Sequence, residues 1–110
     1  MSAALVKDIW IEADQWTASE SDFFDDNSDV IVTLANGEKW IATFFTYKNI
    51  LSIAEKNKTT SECLAGAYFW ATDMILVEEL SRGKIESVVA DLINQNEFEH
   101  AFRGMRNLYE

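Results

Sequence analysis

Apolar residues alternate along part of this chain and recur at helical spacing along the rest. In Asp29-Val-Ile-Val-Thr-Leu-Ala-Asn-Gly-Glu-Lys-Trp-Ile-Ala-Thr-Phe-Phe, β-branched and aromatic residues flank Asn36-Gly37, the dipeptide that best tolerates the positive φ angles of a type I′ turn. A β-hairpin is expected there. Val30, Val32 and Leu34 share one face of its first strand. In the second strand Trp40, Ala42 and Phe44 share one side and Ile41, Thr43 and Phe45 the other. A strand apolar on both faces belongs inside a sheet.

Thr46 can cap a helix in which Ile50, Leu51, Ile53 and Ala54 repeat until the polar stretch Asn57-Lys58-Thr59-Thr60, about three turns on. Ala67-Tyr-Phe-Trp-Ala and Met74-Ile-Leu-Val-Glu read as two more strands joined tightly at Thr72-Asp73, with a buried helix as the alternative. Ser81 caps a final helix striped by Ile85, Val88, Val89, Leu92 and Ile93. Glu97 to Met105 forms a short helical turn, Asp8 to Glu12 an extra strand, and Thr17 to Ser28 a polar loop anchored by Phe23-Phe24. The expected fold is a single α+β domain over residues 1–110, an antiparallel sheet of about four to five strands with two to three helices packed on it. With no proline and no internal repeat, nothing marks a linker or second domain.

Composition narrows the partners. Nineteen acidic against nine basic residues give a net charge of −10, which repels phosphate backbones and anionic headgroups, so neither nucleic acid nor membrane is expected as a partner. Such charge either steers in a basic protein or keeps the chain soluble. It is concentrated early: Asp8, Glu12, Asp14, Glu20, Asp22, Asp25, Asp26 and Asp29 stand against Lys7 in the first thirty residues. No apolar run reaches membrane-spanning length, the first ten residues lack a secretory pattern, and Cys63 is the only cysteine. The cytoplasm is the expected compartment.

Recognisable chemistry is sparse. Cys63 and His100 are the only such pair, 37 residues apart, and a cysteine beside Leu64 and Ala65 reads as a small apolar residue. One histidine beside Glu97 and Glu99 is too few ligands for a transition metal, and Asp25-Asp26-Asn27-Ser28-Asp29 lacks the spacing and glycine of a calcium loop. The four glycines form no phosphate-binding fingerprint. No catalytic residue, cofactor or metal is expected. Aromatic residues stand out instead, and Trp10, Trp16, Phe23 and Phe24 lie within the acidic third. Rings rimmed by carboxylates suit a protein interface, or staple a loop to the sheet.

Asn36-Gly-Glu-Lys-Trp-Ile-Ala-Thr-Phe-Phe-Thr-Tyr-Lys-Asn-Ile, with Glu62-Cys63 and Tyr68-Phe-Trp-Ala-Thr-Asp-Met-Ile-Leu-Val, resembles a group of small bacterial proteins over about residues 29–100. In size, acidity and α+β character the chain also resembles the immunity proteins of bacterial toxin systems, including those of contact-dependent growth inhibition. That resemblance implies a non-enzymatic inhibitor of a cognate basic toxin such as a nuclease domain, and carries over no individual residue. The residues expected to meet such a partner are Trp16, Asp22, Phe24, Asp25, Asp26 and Asp29. Neutralising the four aspartates is expected to slow association and leave folding almost unchanged. A small enzyme using carboxylates or His100, and a housekeeping adaptor subunit, are the alternatives. Oligomeric state is left open.

Overall fold

Strand pairing follows the alternation. The computed structural model describes residues 6–16 and 23–105. Strands β1 (Val6–Ile11), β2 (Asn27–Leu34) and β3 (Lys39–Thr46) pair antiparallel in chain order. Helix α1 (Tyr47–Thr60) and a short element α2 (Glu62–Gly66) follow, then β4 (Met74–Val77), helix α3 (Arg82–Asn94), the turn-length α4 (Phe98–Ala101) and the two-residue β5 (Arg103–Gly104). This is a single small α+β domain with a five-stranded, mainly antiparallel sheet. β3 is its centre, as its two apolar faces require. β2 lines one edge of β3, while on the other β4 pairs with Thr43–Thr46 and β5 with Trp40 and Ile41.

The hairpin turn differs from the type I′ expectation. Gly37 has a φ of +90° whereas Asn36 is not in the positive region, and Gly37 N–H donates to the Leu34 carbonyl while Leu34 N–H donates to that of Glu38. This is a three-residue connection with glycine in the left-handed position. Its register decides the core: Val30 faces Ala42 and Val32 faces Trp40. A two-residue loop would shift pairing by one and present Ile41 and Phe45 to the core instead.

Ile11, Val30, Val32, Leu34, Ala42, Phe44 and Val77 form the buried face of the sheet, and α3 covers it with Ile85 and Val89. Ser81 caps α3 by accepting from Lys84 N–H, and Thr46 caps α1 by accepting from Asn49 N–H. Both caps were legible in the sequence. Arg82, in the first turn of α3, reaches the edge strand, donating to the Ile9 carbonyl at 3.0 Å and pairing with Asp14 and Glu86. Asp14, and to a lesser extent Glu86, raises the guanidinium pKa further. A charged side chain on an edge carbonyl disfavours strand addition there.

The expected strand over residues 67–71 does not form. β4 runs parallel to β3 from the level of Thr43, so the chain leaving Thr46 must travel back before β4 can start. Residues 67–73 are spent on that return, and the expected second hairpin becomes a βαβ-like crossover. α1 also runs through the polar stretch to Thr60 and stops at Ser61, whose φ is +67°. No described helix is long and apolar enough to cross a membrane.

Candidate interaction surface

The residues expected to form one acidic, aromatic docking patch are separated by the fold. Trp16 is partly buried and packs against the main core, so it staples the segment after β1 to the sheet. Asp29 lies on the face of the sheet away from α3, where its carboxylate accepts from Thr43 Oγ1 at 2.8 Å. Asp22 lies outside the described residues. Phe24, Asp25 and Asp26 come together at the start of α1.

That last group is built into the fold. Asp26 N–H donates to Thr46 Oγ1 and its own carboxylate accepts from Asn27 N–H. Asp25 accepts from Ser52 Oγ at 2.9 Å and Asn49 Nδ2 at 3.3 Å. The first turn of α1 has no acidic residue of its own, so Asp25 supplies from the loop the negative charge that a helix N-terminus favours. Asp25, Asp26 and Asp29 are therefore not freely solvated: all three are partly buried. Asp25→Ala is expected to cost about 1 kcal/mol of stability, measured by chemical denaturation.

Around the same helix, large apolar side chains turn outward. Phe24, Tyr47, Leu51, Leu64, Tyr68 and Trp70 are each more than half exposed, from 52% at Tyr68 to 77% at Leu64. Tyr47, Leu51, Ala54 and Lys58 lie three or four residues apart and so form one stripe of α1. Gly66 rests against this stripe, so close that an added Cβ would lie 2.4 Å from the Ala54 carbonyl oxygen and 3.2 Å from Lys58 Cγ. Leu64 is carried by the same turn. Two residues beyond Ala67, Phe69 meets Phe45 edge-on with ring centroids 5.6 Å apart. Its neighbours Tyr68 and Trp70 consequently point away from the sheet. Alternation survives in this segment even though no strand forms.

The turn bearing Leu64 is unusual. Cys63, Leu64 and Ala65 have φ of 50°, 52° and 55°, between Ser61 at 67° and Gly66 at 83°. Left-handed backbone costs a non-glycine residue about 1–2 kcal/mol. The packing of α2 on α1 must offset it. The cysteine is thus a half-buried member of a tight turn. His100 is on α4, with Nδ1 3.6 Å from Glu97, and both side chains are largely exposed. No hydrogen bond joins Cys63 to His100, and no group of three metal-ligating side chains occurs among the described residues.

Sequence reasoning singled out Phe24 but missed Tyr47, Leu51, Leu64, Tyr68 and Trp70 as surface. The available signal was the width of the α1 pattern: Leu51 lies about 100° around the helix from Ile50, at the margin of the stripe that a helix buries. Comparison with known proteins finds no matching family model, no matching curated protein and no matching solved structure.

Proposed function

We propose that this chain is a non-enzymatic protein-binding domain of the immunity type, holding a basic toxin domain, a nuclease in its most specific form, through the apolar rim around α1. The observation that carries this reading is the set of six large apolar side chains, each more than half exposed, on α1, on the segments next to it and on the turn packed against it. Isolated exposed apolar residues are ordinary, but contiguous patches mark interaction surfaces. Rings and leucines on such a rim hold a partner by excluding water, which acts mainly on dissociation. The net charge of −10 acts earlier, drawing a cationic protein in across distances that salt screens.

The direct test uses the product of the adjacent gene, purified and titrated against this protein, with growth rescue on co-expression as the functional readout. Trp70→Ala and Leu51→Ala are each expected to raise Kd roughly tenfold through faster dissociation. Their melting temperatures are expected to stay close to the parent because both side chains are largely exposed. Raising salt from about 0.05 to 0.5 M is expected to slow association far more than dissociation. Unchanged affinity in both variants would remove the rim, and failure to bind or to rescue growth would remove the immunity reading.

A further inference from the structure

The face of the sheet turned away from α3 can be mapped from strand register. Trp10, Ile31 and Ile41 stand in line across β1, β2 and β3, and the next row toward the hairpin turn is Asp8, Thr33 and Lys39. Trp10 is 40% exposed, and Ile31 and Ile41 are partly so. A shallow depression of about 360 Å³ opens over these rows, reaching Met105 at its rim. The second row has a carboxylate at one end and an ammonium at the other, two strand spacings or ~10 Å apart. Lys39 Nζ donates to the uncharged Thr33 hydroxyl at 3.1 Å, and Asp8 has no ion-pair partner among the described residues.

We propose that this face is covered by a second copy of the chain, packed sheet on sheet about a two-fold axis running along β2. Such an axis sets Trp10 of each copy over Ile41 of the other and Ile31 against its own counterpart. It also places Asp8 of each copy opposite Lys39 of the other, so that the same opposite-charge junction forms twice. The strands of the two sheets then run within about 30° of each other, the ordinary angle for stacked sheets. An axis turned across the strands would instead oppose Asp8 to Glu12, which lies beside Asp29 and accepts from its N–H. Carboxylate would face carboxylate. The row containing Asp29 and Thr43 would meet its own copy even about the favoured axis, so the contact centres on the two rows nearer the turn.

Size sets the strength. A patch three strands wide and two side-chain rows deep, ~14 Å by ~14 Å or roughly 200 Å², is small beside the ~800 Å² per partner of a standard interface. The charge of −10 on each copy opposes approach until screened. Self-association on the order of 100 µM in physiological salt is therefore expected, not an obligate dimer. It needs none of the rim on α1 and stands independently of the proposed toxin partner.

Sedimentation equilibrium over roughly 10 to 500 µM protein in about 0.15 M salt tests it without any partner. The parent is expected to approach twice the monomer mass. Asp8→Lys and Lys39→Asp, both at exposed positions, are each expected to weaken dimerisation roughly tenfold by creating like-charge junctions. An equimolar mixture of the two variants is expected to associate more strongly than either alone, because unlike charges then meet at both junctions. Ile31→Lys is expected to be monomeric, with a circular dichroism melt confirming the fold. A parent that stays monomeric across the range overturns the proposal. So does a mixture no stronger than its components, or a dimer indifferent to both charge reversals.

Discussion

Phe98→Ala is expected to lower stability by about 3–5 kcal/mol, a large share of the ~5–15 kcal/mol that a domain of this kind possesses. Phe98 is 1% exposed and joins two parts of the fold. Its ring stacks on Phe102 at 4.5 Å and meets Trp40 edge-on at 5.7 Å, while Phe102 in turn packs against Phe44 at 6.1 Å. Through these contacts α4 and β5 are held on the central strand. The Trp40 indole N–H is buried without an acceptor among the described residues, so ring packing and not hydrogen bonding fixes that side chain. A cavity at Phe98 would loosen the two-residue pairing of β5 with Trp40 and Ile41. Differential scanning calorimetry should show a fall of at least roughly 12 °C, given ~4–8 °C per kcal/mol at this size. Phe98→Leu should recover more than half of the loss, because most of the volume returns.

The second large effect is expected at Gly66. Gly66→Ala introduces a Cβ 2.4 Å from the backbone oxygen of Ala54 at a φ of +83°, so both conformation and space are violated, and the obstacle is backbone that cannot rotate away. A loss of about 2–4 kcal/mol follows, unless α2 separates from α1 and the damage is confined to the crossover. Hydrogen exchange separates these outcomes: a global loss speeds exchange in β2 and β3, whereas a local one affects only α1 and α2. Ala65→Gly should act in the opposite direction. Its φ is already +55° and its side chain is exposed, so removing the Cβ is expected to stabilise by about 0.5–1 kcal/mol, the relief of left-handed strain less the added entropy of the unfolded chain. Destabilisation by Ala65→Gly would show that the left-handed turn carries less strain than its angles imply.

Much of the candidate surface was hidden in the sequence because each of its residues has a local meaning that is not its tertiary one. Phe24 and Trp16 are both aromatic residues within the same acidic stretch, yet one is exposed and the other packs on the core. The aspartates read as a charge run, but Asp25 lies against Asn49 and Ser52, more than twenty residues away. Tyr68-Phe69-Trp70 reads as half a hairpin because alternation records which side chains are inward, and does so equally well in a segment anchored by one ring.

Elements whose causes are local were legible in the chain. Period-two alternation around Asn36-Gly37 required the hairpin, the two-sided apolarity of residues 40–45 required a central strand, and Thr46 and Ser81 placed the helix starts. Each follows from interactions spanning a few residues or from burial of a repeating face. Long-range packing set the parallel entry of β4, the left-handed return at Ser61–Gly66 and the three-residue form of the hairpin turn. It also decided the outward turn of Leu51 and Trp70. These depend on which distant surface arrives first at a shared strand: β3 has a single free edge, β4 and β5 divide it, and the crossover must adopt whatever backbone brings β4 to its half.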